Sequence, residues 1–271
     1  MTKSLEALTI QQAQKLVLLS QRVPPIKHKG SALDATLQTI EHLGYIQIDT
    51  ISAVQRAHHH TLYSRNPRYK KVHLETLMGK RRIFEYWSHA AAYLPMKDYR
   101  FSLPRKQAIA IGKESHWYSR DKQLMKSVLR RIESEGPLMA KDFGHKGKKL
   151  GAWETKTTKQ ALENLYMQGE LMVSSRKNFH KVYDLTERVL PGHVDTTMPN
   201  EGEYMRYLIA KYLRANGLGL ASEITYLLKN TKKQVVVALK EMLFSGELKQ
   251  VEVNGVLYYV LPESLELLNK S

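Results

Sequence analysis

The chain has 271 residues, with 42 Lys and Arg against 26 Asp and Glu, a formal charge of +16. A hydrophobic share of 42% is ordinary for a folded chain, and the length predicts two domains or three small ones. Disulfides and thiolate zinc sites are excluded because Cys is absent; no run of about 18 apolar residues can span a bilayer, and the first residues lack the apolar core of a secretory signal, so a soluble intracellular protein is expected.

In chain order, Thr9 is placed to cap a helix over 10–21. Pro24, Pro25 and Gly30 mark a loop, 32–43 reads as a second helix stopped by Gly44, and 45–49 alternates as a strand. Ser52 is placed to cap a third helix running through Tyr63 and stopped before Pro67. A short helix over 72–78 and a strand over 82–87 complete a first domain, 1–93. The stretch 94–120 contains Pro95, Pro104 and Gly112 and reads as a linker.

A repeat organises the remainder. Residues 161–171 and 238–248 both begin Ala-Leu and end Gly-Glu-Leu, 77 residues apart. Each reads as a helix, a Gly just past its end, then a strand. Two helical patterns precede each copy: 122–132 and 140–143 in the first, Tyr204 to just before Gly217 and then 221–228 in the second. The third helices span 157–167 and 232–244. Hairpins follow. One joins 171–173 to 181–184 through a basic loop with Arg176 and Lys177; the other joins 248–253 to 256–260 through Asn254-Gly255, a pair that favours a type I′ turn. Three helices and a hairpin make the winged helix-turn-helix plan. The expected fold class is mainly α with small β-hairpins (α+β), as tandem winged helix-turn-helix domains: a divergent one over 1–93, a second over 121–192 and a third over 193–271.

The charge is uneven. Residues 1–93 carry +7, 94–120 carry +4, 121–192 carry +5 and 193–271 carry zero. A long basic surface marks a polyanion partner. An acidic membrane surface is disfavoured, since no basic helix with a strong apolar face and flanking aromatics stands out. The neutral last domain is expected to brace rather than to bind.

Five places carry candidate chemistry. In 45–49, Ile46 and Ile48 share one strand face and Gln47 and Asp49 the other. An amide beside a carboxylate can hold a water between them, the carboxylate accepting its proton; spacing alone favours the plainer reading, the exposed polar face of an edge strand. His58-His59-His60 cannot converge on one metal, because consecutive helical side chains diverge by about 100°. Helix phase puts His58 with Val54, Ala57 and Leu62 on a buried side and Arg56, His59, His60 and Tyr63 on an outer side, followed by Arg65 and Arg68. That outer set suits a phosphate backbone or a merely solvated face. Lys156 and Lys159 open the third helix of the middle domain, and Arg176 and Lys177 lie in its hairpin, all four placed for DNA. Gly144, Gly147 and Gly151 are too loosely set to form a phosphate-cradling loop.

The run 43–49 (Leu-Gly-Tyr-Ile-Gln-Ile-Asp), with Arg56-Ala57-His58-His59 and Leu62-Tyr63-Ser64-Arg65 after it, resembles the AlkZ-like family of bacterial DNA glycosylases, in its YcaQ-like branch. So do 84–89 (Phe-Glu-Tyr-Trp-Ser-His) with Leu94-Pro95, Gly136-Pro137-Leu138 with Asp142-Phe143, Trp153, 161–172, and Tyr183-Asp184-Leu185 with Glu187-Arg188. These matches span nearly the whole chain and are specific together. The resemblance implies three tandem winged-helix domains and a catalytic motif of Gln, an apolar residue, then Gln or Asp. Gln47-Ile48-Asp49 is the Asp form, associated with excision of N7-alkylated guanine and the unhooking of interstrand crosslinks. It further implies a monofunctional glycosylase acting on alkylated or crosslinked double-stranded DNA, without metal or other cofactor, at the nucleoid in a bacterial cytoplasm. Relatives usually continue into a β-rich C-terminal domain, so a fragment or a short member is expected. The rival readings are a non-catalytic winged-helix transcriptional regulator and a module for structured RNA; a regulator has no reason to aim Gln47 and Asp49 at DNA.

Overall fold

A computed structural model describes residues 6–269 apart from 29, 53, 116–119, 144–151, 227 and 229–230, and describes no side chains at 152–156. The chain packs as two compact units, Met1–Lys70 with Pro199–Ser271, and Lys71–Met198.

The first unit opens with β1 (Glu6–Ala7) and α1 (Ile10–Ser20). Thr9 and Gln12 form a reciprocal capping box: the Thr9 hydroxyl accepts the Gln12 N–H at 3.2 Å, and the Gln12 side chain accepts the Thr9 N–H at 2.8 Å. Ser31 and Asp34 cap α2 (Ala32–Leu43) in the same way, and Gly44 closes it in the left-handed conformation at φ 75°. Then come β2 (Ile46–Gln47) and α3 (Ala57–Tyr63). The strand is shorter than the sequence predicts, although its alternating burial survives through residue 49. Ser52 does not cap α3. Its N-cap is Arg56, without a side-chain hydrogen bond. The Asp49 carboxylate accepts the Ile51 N–H at 2.9 Å and turns the chain there. Ile51 is 74% and Val54 89% exposed, so neither apolar side chain packs down to support helix before Ala57.

The second unit runs α4 (Val72–Gly79), β3 (Ile83–Trp87), β4 (Ala91–Pro95), a 3-10 turn (Met96–Ser102) and α5 (Leu103–Ala110). Next are α6 (Lys122–Glu135), a 3-10 turn (Ala140–Phe143), α7 (Ala152–Gln168), β5 (Leu171–Lys177), β6 (His180–Leu185) and α8 (Thr186–Val189). The hairpin β3–β4 pairs Ile83 with Pro95 and Trp87 with Ala91, across the expected boundary at residue 93. The stretch expected as a linker is folded through Ala110, and Met96, Tyr99, Lys106 and Ile109 are buried there. The Tyr86 hydroxyl donates to the Met167 carbonyl at 2.7 Å, tying that hairpin to α7. β5 and β6 pair from Leu171–Leu185 to Lys177–His180, so Arg176 and Lys177 lie on a strand rather than in a loop.

The first unit resumes with α9 (Glu201–Asn216), β7 (Leu218–Gly219), α10 (Ala221–Ile224), α11 (Lys232–Phe244), β8 (Lys249–Val253), β9 (Val256–Val260) and α12 (Pro262–Asn269). The strand order is β1-β8-β9-β7, with β1 parallel to β8 through Glu6–Val251 and β8 antiparallel to β9. Leu8, Ala13 and Leu16 pack on Val251, Val253, Val260 and Leu265. A second core joins α9 to α11 through Met205, Ile209, Leu213, Val235, Leu239 and Met242. Three helices and a hairpin follow one another in the first unit (α9, α10, α11, β8–β9); in the second, a 3-10 turn stands between α6 and α7 before β5–β6, and helix dominates over small sheets. Among the described residues, no helix is long and apolar enough to cross a membrane.

Candidate active site

Gln47 ends β2, the strand that follows α2, and Asp49 lies two residues beyond it in the chain. Ile46 and Ile48 point into the core, at 2% and 7% exposure, which forces the alternate residues outward. Gln47 is exposed and Asp49 half-buried. Asp49 is held at two points. Its carboxylate takes the Ile51 N–H, and its own backbone N–H donates to Nδ1 of His58 at 3.3 Å. His58 is 2% exposed on α3. Because Nδ1 accepts, a neutral ring carries its proton on Nε2. Sequence phase placed His58 and Leu62 on the inner face, and both are buried. Val54 and Ala57, assigned to the same face, are exposed, because the helix starts only at Ala57. The contact from His58 to Asp49 has no local signature in the sequence. Only the nine-residue spacing between them bore on it, and spacing across a turn carries no geometry.

The arrangement offers an anchored, partly solvated carboxylate and an exposed amide two positions before it, with the buried Ile48 between them. It can orient water, accept a proton and stabilise positive charge. Among the described residues, no group of three or more His, Asp or Glu could hold a metal ion.

The residues expected on phosphate divide into distinct sets. His60 is exposed and Tyr63 is 59% exposed at the end of α3. His59 is half-buried, its Nδ1 hydrogen-bonded with the Tyr69 hydroxyl at 2.8 Å. Arg56 is half-buried at the N-cap. Arg65 faces inward: Nε donates to the Gln21 carbonyl at 2.7 Å, Nη2 to the Gln21 side chain at 2.7 Å and Nη1 to the Thr61 carbonyl at 3.0 Å. Burial lowers its pKa. Arg68 donates to the Gly30 carbonyl at 3.2 Å.

In the second unit, Lys159 and Lys177 are exposed. The Lys156 side chain lies outside the described residues. Arg176 grips the buried Glu85 with two hydrogen bonds, at 2.6 and 2.8 Å. Its guanidinium is engaged within the protein, and the sequence reading of it as a phosphate ligand assumed a loop that does not form.

The sequence matches the family described as DNA glycosylase AlkZ-like over residues 40–270. Among solved structures, the Streptomyces sahachiroi DNA glycosylase AlkZ is similar in fold at 15% sequence identity, with a TM-score of 0.69 over 98% of this chain and 73% of that one. That structure is winged-helix, which agrees with the order of helices and hairpins in both units.

Proposed function

Since the chain belongs to the AlkZ-like DNA glycosylase family, we propose that it repairs alkylated duplex DNA as a monofunctional glycosylase, excising N7-alkylated guanine and unhooking crosslinks through that base, with Gln47 and Asp49 as its catalytic pair. The observation that carries this reading is Asp49, whose carboxylate and backbone are both anchored beside an exposed Gln47.

An N7-alkylated guanine already carries a positive charge, so the base leaves as a neutral species without a general acid. The C1′–N9 bond breaks, and its electron pair goes to N9. The sugar becomes oxocarbenium-like, and a water oxygen forms the new bond to C1′. Asp49 faces the developing cation as an anion and takes the proton released by the water. Gln47 orients that water or the sugar. The products are a free base and an abasic site. This hydrolysis draws on these side chains alone. Most glycosylases flip their target into a pocket, but a crosslinked base cannot leave its partner strand, so the reading favours an open site. The net positive surface supplies sequence-independent affinity for the duplex.

The test is single-turnover release of N7-methylguanine beside binding to plain duplex. Asp49→Asn keeps size and removes both charge and base, so excision should fall about 100-fold or more, with duplex affinity held or slightly raised. Gln47→Ala should slow excision as well. Excision by Asp49→Asn at the parent rate would remove Asp49 from catalysis.

A further inference from the structure

The first unit gathers cations around the C-terminal end of α1. The Ser20 carbonyl accepts the Nε2–H of His42 at 2.6 Å. The Gln21 carbonyl and side-chain oxygen accept Arg65, and the Gln21 amide donates on to the Ala215 carbonyl at 2.8 Å, at the end of α9. Arg22 donates through Nη1 to the Gln38 carbonyl at 3.1 Å and is held at φ 56°, a left-handed conformation that is unusual and costly for a non-glycine residue. Arg214 is exposed in the last turn of α9.

The Ser20 carbonyl and the three arginines act on one imidazole. Burial, followed by the charge of Arg22, holds His42 down at about 4 against the pull of its Ser20 hydrogen bond; Arg214 and Arg65 lower it further, and no carboxylate acts on it. Burial also lowers Arg22 to about 10. Among the described residues, none of the three arginines makes an ion pair.

Helix capping accounts for part of this. Each helix C-terminus supplies about half a negative charge. The ends of α1 and α9 together offset about one of three guanidinium charges, which leaves about two uncompensated. Arg65 has spent Nε, Nη1 and Nη2 on the protein. Among the described residues, Arg22 shows one hydrogen bond and Arg214 none. The site therefore has a fixed bracket, Arg65, and two guanidiniums with donors to spare.

We propose that Arg22 and Arg214, braced by Arg65 around His42, form a phosphate-binding site for the sugar-phosphate backbone of duplex DNA. It rests on the DNA-binding half of the proposed function and not on the excision chemistry. It also brings α9, from the net-neutral end of the chain, into the interface. A free phosphate ion presents the same chemistry, so the test must separate the two sources.

The full chain and its Arg22→Gln, Arg214→Gln and doubly substituted forms are titrated with an undamaged 20-base-pair duplex across a salt series. The His42 ring is followed by NMR, with duplex and separately with inorganic phosphate. Arg214→Gln alters an exposed helix position and keeps the fold. It should weaken binding several-fold and flatten the log K against log salt slope by about 0.9, one phosphate contact. Arg22→Gln should do the same, and the double variant should lose one or two contacts' worth of slope according to whether the arginines share a phosphate. Duplex should raise the His42 pKa above about 4, because an anion offsets the arginines. An unchanged salt slope in Arg214→Gln and Arg22→Gln overturns the proposal. So does a His42 ring that responds to inorganic phosphate and not to duplex. Because plain duplex is the probe, a failed excision assay leaves this result standing, and a failed salt series leaves Asp49 untouched.

Discussion

Glu85 and Arg176, 91 residues apart in sequence, form a two-pronged ion pair in the second unit, Nε to Oε2 at 2.8 Å and Nη2 to Oε1 at 2.6 Å. The Glu85 side chain is fully buried and that of Arg176 is 13% exposed. The remaining arm of Arg176 donates to the Phe179 carbonyl, and its guanidinium stacks 4.4 Å from the Phe179 ring. Removing one partner of a buried pair leaves the other charge stranded and costs about 3–5 kcal/mol, whereas replacing both by apolar residues is often neutral. Arg176→Ala should therefore lower the urea midpoint sharply, and Glu85→Leu with Arg176→Met should recover most of it. Measured below their unfolding midpoints, both forms should bind duplex with the parent salt slope. A flatter slope would return Arg176 to the DNA interface.

Lys159 and Lys177 are the expected phosphate ligands of the second unit that remain exposed. Neither reports a structural role, so Lys159→Gln and Lys177→Gln should leave the melting temperature within a degree or two. Each true contact should take about 0.9 from the salt slope. A double variant with the parent slope would remove this face of α7 and β5 from DNA binding.

His42 makes stability depend on pH. Burial, and then Arg22, hold it at about 4 in the folded chain, against about 6.5 for a free imidazole. The unfolded chain thus binds this proton more tightly. The stability held above about pH 6.5 is lost progressively as pH falls toward 4. His42→Gln keeps a donor for the Ser20 carbonyl and cannot titrate. Its urea midpoint should fall less than that of the parent between pH 7.5 and 4.5; parallel losses would place the acid sensitivity elsewhere.

Local signals read well. Asn254 and Gly255 adopt φ of 50° and 77°, the type I′ turn their pairing predicts. Thr9 caps α1, and Gly169 and Gly246 end the two repeated helices at φ 94° and 80°. Pro104 misled, because proline occurs in linkers and also in the first turn of a helix, where it stands in α5. Long-range partners left no local trace. Nothing near Glu6 announces that it lies beside Val251, and nothing near Arg65 announces that its guanidinium is taken by Gln21. At the candidate site, the alternation of Ile46 and Ile48 was enough to turn Gln47 and Asp49 outward, but the support from His58 depends on how α3 packs back.

The wing β8–β9 gives the final prediction. On one side β8 pairs with β1, and Leu8 beyond β1 is buried at 7% against the Val251 and Val253 face. The hairpin is thus paired on both sides near its base, while its tip, Asn254-Gly255 with Val256 and Leu257, stands in solvent. With residues 193–271 net neutral, bracing is the role expected of this sheet, and phosphate contact is assigned to α9 rather than to the wing. Gly255→Val forces a β-branched residue to φ 77° and should cost about 1–2 kcal/mol of stability. Leu8→Ala opens the junction between β1 and β8 and should cost about 2–5 kcal/mol. Both losses are read in urea denaturation. In folded protein neither should weaken duplex binding by as much as tenfold, about 1.4 kcal/mol. A tenfold loss for Gly255→Val with the fold intact would place the wing tip on DNA, and an unchanged urea midpoint for Leu8→Ala would show that β1 does not brace the sheet.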